Sequence, residues 1–143
     1  MQIGSATEVG LVRRRNEDAL LVDGDRRVFA VADGLGGHPA GDVASQLAIE
    51  VLEKELQGLS DGHAPDEVLA EALRAAHEAV MADGWEEPSR RGMATTAVVA
   101  HLPQGDREAW VAHVGDSRAY LLHEGQLNQL TRDHTTGGPF LRG

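Results

Sequence analysis

Two short apolar runs, Ala19 to Asp23 and Arg27 to Ala32, flank Asp23-Gly24-Asp25. Aspartate and glycine between such runs favour a tight turn with positive backbone angles, so this spacing predicts a β-hairpin. A glycine-rich segment, Asp33 to Pro39, then leads into Val43, Leu47, Val51, Leu52 and Leu56, whose helical spacing predicts a long amphipathic helix. Residues 58–64 are polar and read as a turn. Pro65-Asp66-Glu67 carries the signals of a helix start, and Val68, Leu69, Ala72, Leu73, Ala76 and Val80 share one face of the helix that follows. The two apolar faces are expected to pack together. From Met93 the texture becomes β-type. Thr95 to Leu102, Ala109 to Val114, Arg118 to Leu122 and Gln126 to Leu130, with turns at Pro103 to Asp106 and His123-Glu124-Gly125, read as an antiparallel meander. Two strands, two helices and then four strands lack the alternation of a parallel sheet, so the fold class is α+β, with antiparallel sheets and flanking antiparallel helices.

Composition narrows the chemistry. The 143 residues leave room for one ordinary domain. With no cysteine, disulfides, thiolate zinc sites and cysteine nucleophiles are excluded. A net charge of -10 repels a phosphate backbone and argues against a nucleic-acid partner. The apolar stretches are strand-length, and Met1-Gln2-Ile3-Gly4 lacks the pattern of a secretory signal. The expectation is a soluble cytoplasmic protein with no membrane partner.

Acidic residues stand where the predicted strands begin or end: Glu17 and Asp18 before the first, Asp33 after the second, and Asp116 in the turn between two later ones. If the hairpin pairs across its short turn, Glu17-Asp18 and Asp33 meet at its open end. Close carboxylates repel unless a hard cation lies between them, and magnesium and manganese take oxygen ligands while keeping several waters. Gly34, Gly36 and Gly37 would let the backbone approach such an ion and offer a carbonyl. The run Arg13-Arg14-Arg15 places guanidinium groups beside the acids, suited to a bidentate grip on a phosphoryl group. Each feature has an ordinary counterpart in a capped turn, a solvated basic run or a hairpin turn such as Gly115-Asp116-Ser117-Arg118. Gly-x-Ser-x-Gly, Walker-type, Gly-x-Gly-x-x-Gly and His-Glu-x-x-His patterns are absent.

In order and spacing, Arg13-x-x-Asn16-Glu17-Asp18, Asp33-Gly34-Leu35-Gly36-Gly37-His38, Met93-Ala94-Thr95-Thr96, Gly115-Asp116-Ser117-Arg118-x-Tyr120-Leu121 and Leu130-Thr131-x-Asp133-His134-Thr135 form a specific set. On these blocks the chain resembles bacterial 2C-type (PPM family) metal-dependent serine/threonine protein phosphatases. The resemblance implies an α-β-β-α sandwich and hydrolysis of phosphoserine and phosphothreonine in protein substrates by a metal-activated water. The implied cofactor is Mn2+ or Mg2+, as two ions with a weaker third in bacterial members. It further implies that Asp33 bridges two ions, that Glu17 and the Gly34 carbonyl complete one of them, that Asp116 helps hold the third, and that Asp18 stands behind these ligands. Arg13 would bind the substrate phosphate, which makes Asp33 and Arg13 the catalytic residues. Thr95, Thr96, Arg118, Asp133 and His134 are expected to be structural.

The departures set further expectations. Ala94 stands where the family usually has glycine. The family also continues for roughly a hundred residues, to two further aspartate blocks. Residues 1–143 are therefore expected to be the N-terminal portion of a single catalytic domain, and the tail Thr136 to Phe140 lacks an amphipathic pattern. The alternative to a phosphatase is a phosphatase-like binding module, weak or inactive without those ligands. Strand edges left open would favour self-association.

Overall fold

The computed structural model of the chain describes residues 1–12, 14–35, 38–105 and 107–134. Strands β1 (Asp18–Asp23) and β2 (Val28–Asp33) form the expected hairpin, in register from Asp18 opposite Asp33 to Asp23 opposite Val28. The turn differs in detail. Its positive angle falls at Arg27 (φ 57), because the Asp23 carboxylate closes the turn by accepting the Arg26 N–H at 3.0 Å.

Helix α1 (Gly41–Glu55) follows, and α2 (Pro65–Glu86) starts at the predicted proline. The polar stretch between them was expected as a loop but begins with a 3-10 helix, Leu56–Asp61, anchored by the buried Leu56. On α1 the deepest face is Ala44, Ala48, Ile49 and Leu52, whereas Val43, Leu47 and Val51 are only half-buried beside it. Alanine at the contact lets the helix lie closer to its neighbours than the larger residues would. On α2, Leu69, Ala72, Ala76 and Val80 are buried as predicted.

After a short 3-10 helix, Pro88–Arg90, strands β3 (Ala97–His101), β4 (Trp110–Val114), β5 (Tyr120–His123) and β6 (Gln126–Gln129) complete the described elements. The first four strands form one antiparallel sheet in the order β1-β2-β3-β4. Its inner face, carrying Leu21, Val28, Ala30, Ala32 and Val99, joins both helices in one core. The outer face is apolar too. Leu20, Val22, Phe29, Val31, Val98 and Ala100 line a groove of about 500 Å³ together with the N-terminal residues.

The predicted meander is broken. Strands β5 and β6 pair only with each other, as a separate two-stranded sheet. The chain leaves β4 through Gly115 (φ +99), and Ala119 then bonds back to residues 130 and 131: the Leu130 N–H donates to the Ala119 carbonyl at 2.8 Å, and the Ala119 N–H to Thr131 Oγ1 at 3.2 Å. The β5–β6 turn has positive φ at both Glu124 (50) and Gly125 (76), as a two-residue hairpin turn requires. Among the described residues, no helix is long and apolar enough to cross a membrane.

Leu52 is fully buried and Leu122 is 68% exposed. Leu52→Ala is expected to lower unfolding free energy by about 2–5 kcal/mol, and Leu122→Ala by no more than about 0.5 kcal/mol. Urea denaturation of the two variants against the parent chain measures both.

Candidate metal centre

The open end of the hairpin assembles the first group. Asp18 stands opposite Asp33 in register. One residue earlier, the Glu17 carbonyl accepts the Gly34 N–H at 2.9 Å, so pairing continues past the strand ends and holds Glu17 beside Gly34. On the other side Gly34 bridges Thr95, and the Leu35 N–H donates to the Ala94 carbonyl at 3.0 Å. Thr96 finishes the enclosure of Asp33: its N–H donates to the Asp33 carbonyl at 2.9 Å, and its hydroxyl accepts the Asp33 N–H at 3.1 Å.

Helix α1 closes the site from above. A Cβ on Gly34 would overlap the backbone of Gly41, and a Cβ on Gly41 would overlap Glu17 Oε2. Two chain segments and a carboxylate thus meet where no side chain fits. Ala40, just before the helix, takes a left-handed conformation (φ 51, ψ 42), and α1 has no side-chain cap. Asp42 in its first turn lies 3.6 Å from Arg15.

At this end of the hairpin Glu17 Oε2 and Asp18 Oδ1 are each buried with no hydrogen-bond partner. Burying a carboxylate oxygen without a donor costs several kcal/mol, and the remedies are protonation, a cationic neighbour or a metal. Two orphaned carboxylate oxygens beside Asp33 suit a hard divalent cation, and the all-oxygen donor set suits manganese or magnesium. The residues present fit such an ion.

Asp116 occupies a second position, on the turn between β4 and β5, where its residue is exposed. That turn is held from two sides. Toward the sheet, Ser117 Oγ lies 2.5 Å from Thr96 Oγ1, and Gly115 packs on the Thr96 methyl, where a Cβ would come within 2.7 Å. Toward residues 130–134, Arg118 forms a fork with Asp133 (Nε to Oδ1 2.9 Å, Nη2 to Oδ2 2.7 Å). The Gly115 N–H also donates to His134 Nδ1 at 3.2 Å, and the His134 N–H to the Gly115 carbonyl at 3.0 Å. The hydrogen bond from Arg118 holds the Asp133 carboxyl below its usual range, and the same bond raises Arg118. His113 on β4 stacks on His134 with ring centroids 4.6 Å apart. Burial first, then the neighbouring histidine, lowers its pKa from 6.5.

Glu17, Asp18, Asp33 and Gly34 therefore come together, while Asp116 stands apart and reaches them through Thr96. Among the described residues, no three Asp, Glu or His side chains form a ready-made ion cage. Arg13, Gly36 and Gly37 lie outside the described residues, as does the tail from Thr135 onward. Two contributors were missed in the sequence. Gly41 carried no signal, since a glycine at a helix start is unremarkable. Thr96 belonged to a noticed block but was assigned to structure only.

A family model described as protein phosphatase 2C matches residues 12–138. Among curated relatives, serine/threonine protein phosphatase PstP of Mycobacterium tuberculosis is 42% identical over 138 residues, covering 94% of this chain and 25% of PstP. Serine/threonine phosphatase stp of Listeria monocytogenes is 36% identical over 142 residues, covering 95% of this chain and 56% of stp. The chain thus spans little more than half, or less, of these relatives. A solved structure of the catalytic domain of PstP in complex with 2 manganese ions superposes with a TM-score of 0.75 at 40% identity, covering 90% of this chain and 54% of that one.

Two predictions follow from this geometry. Gly41→Ala must displace Glu17 Oε2 and should abolish most of the manganese-induced rise in melting temperature, whereas Gly58→Ala, whose Cβ would sit at an ordinary 3.6 Å from Val68, should leave that rise intact. Thermal denaturation with and without manganese distinguishes them. The second concerns pH. With its folded pKa below 6.5, His113 binds fewer protons in the fold than in the unfolded chain, so stability falls as pH drops from about 7 to about 5. Asp133, also depressed, adds its loss only below its ordinary value of 3.8. His113→Phe keeps a ring against His134 and should flatten the upper part of the melting temperature against pH curve.

Proposed function

The chain belongs to the protein phosphatase 2C family, and from that premise we propose that residues 1–143 are the front portion of one catalytic domain of a metal-dependent protein serine/threonine phosphatase. The observation that carries the reading is the pair of buried, unpartnered oxygens of Glu17 and Asp18 at the strand end that also bears Asp33. A hard cation is one of the partners that satisfies oxygens of this kind. The relatives named above are themselves called phosphatases, which favours turnover over the binding-module alternative.

In this reading Asp33 and Glu17 are the anionic ligands, the Gly34 carbonyl adds a neutral one, Asp18 steadies them, and Asp116 contributes from the neighbouring turn. The manganese ions in the solved PstP domain support manganese as the cofactor, and magnesium is chemically close enough to share the site. Bound ions of this class supply an acidified water and neutralise charge on a phosphoryl group. The chain's own part is to hold the carboxylates rigidly: Thr96 locks the Asp33 backbone, and the Gly34–Gly41 contact keeps Glu17 from turning away. Arg13, four residues before Glu17, is assigned to grip the phosphate of a phosphoserine or phosphothreonine peptide, since a guanidinium matches its oxygens bidentately.

In the protein extended through the two further aspartate blocks, hydrolysis of p-nitrophenyl phosphate with manganese is expected, and Asp33→Asn should reduce it on the order of 10²-fold or more, the scale of losing one strong electrostatic stabiliser. Unchanged turnover in Asp33→Asn would remove this residue from the centre and with it the proposed ligand set.

A further inference from the structure

The two groups of acids are joined by one side chain. Thr96 is 3% exposed, and each of its polar and apolar parts has a separate task. Its N–H and hydroxyl both bond the Asp33 backbone, at 2.9 and 3.1 Å. The same hydroxyl lies 2.5 Å from Ser117 Oγ, a short O–H···O bond. Its methyl meets Gly115 so closely that a Cβ there would fall 2.7 Å away. Gly115 and Ser117 are the residues on either side of Asp116, so both neighbours of that acid rest on the residue that fixes Asp33. The other ties of the turn, Gly115 to His134 and Arg118 to Asp133, run to residues 133 and 134 instead.

We propose that Thr96 and Ser117 are positioning residues: their hydroxyl pair sets the place of Asp116 relative to Asp33, and so governs how tightly an ion is held at Asp116. This rests on the reading of Asp33 and Asp116 as metal ligands. Outer partners that orient a ligand typically alter metal affinity by 10- to 100-fold when removed.

The test is manganese binding by titration calorimetry, with the amide spectrum of the metal-free protein as a second readout. Asp116→Asn identifies the class of sites that depends on Asp116. Ser117→Ala and Thr96→Val should weaken that class about 10- to 100-fold, leave the remaining binding unchanged, and shift the Asp33 amide resonance without metal. Thr96→Ser, which keeps the hydroxyl, should bind like the parent. Parent-like Asp116-dependent binding in Ser117→Ala, or an unmoved Asp33 amide, overturns the proposal while leaving the metal centre intact. If Thr96→Val does not fold, Ser117→Ala decides alone. Absence of manganese binding by the parent protein would instead defeat the metal-centre reading, and this proposal with it.

Discussion

The contact between Gly34 and Gly41 is the constraint on which the rest of the site depends. It brings the start of α1 directly onto the end of β2, with no side chain tolerated at either position. Once the backbones touch, Glu17 has its carboxylate confined against Gly41, and one of its oxygens is cut off from solvent and from donors. The start of a helix does favour a nearby anion, but typically by 0.3 to about 1 kcal/mol, and by about 2 kcal/mol in the best partly buried cases. Desolvating a carboxylate costs several kcal/mol. The helix end alone therefore leaves that oxygen short of a partner, and in the reading proposed above a divalent cation would supply the difference.

Asp116 is built on the opposite plan. It is exposed, so its carboxylate keeps its hydration and carries no stored cost that an ion would relieve. What the fold spends its contacts on is the turn beneath it, which is gripped by Thr96 on one side and by the Arg118–Asp133 fork on the other. The fork is solvent-exposed, and exposed ion pairs contribute little to stability. Its planar geometry nevertheless fixes direction, which is what a residue carrying a ligand needs from its neighbours. Glu17 and Asp18, half-buried with one oxygen each shut off from solvent, and the exposed Asp116 thus offer an ion different surroundings.

Much of this was legible in the sequence. Two short apolar runs around a tight turn bring Glu17-Asp18 and Asp33 to the same open end, and in the observed register Asp18 stands opposite Asp33. The start of α2 followed from its proline signal, and the existence of α1 from its apolar spacing. The role of Gly34 was legible only in kind: freedom for close backbone approach was expected toward an ion, and the structure shows that approach toward Gly41. The break between β4 and β5 was not legible, because Gly115-Asp116-Ser117-Arg118 has the composition of an ordinary hairpin turn. What diverts the chain is a set of partners 12 to 19 residues away, Thr131, Asp133 and His134, which local pattern cannot supply. Thr96 was hidden for the same reason, since its three tasks exist only after β2, β3 and the turn have come together.

The same turn has a mechanical place in the fold. It links the four-stranded sheet to the β5–β6 hairpin, and both bear apolar surface that an antiparallel sheet with one wet face would not have. On the hairpin, Tyr120, Leu122 and Leu127 share one face by register and are all exposed. A two-stranded unit is marginal alone and takes its orientation from whatever packs on it. Gly115 and Ser117 are tied to a buried threonine just before β3, so the turn that carries Asp116 is anchored to the residue that holds the Asp33 backbone. A loosely linked acid would follow the hairpin, and its distance from Asp33 would vary with packing that has nothing to do with the ion.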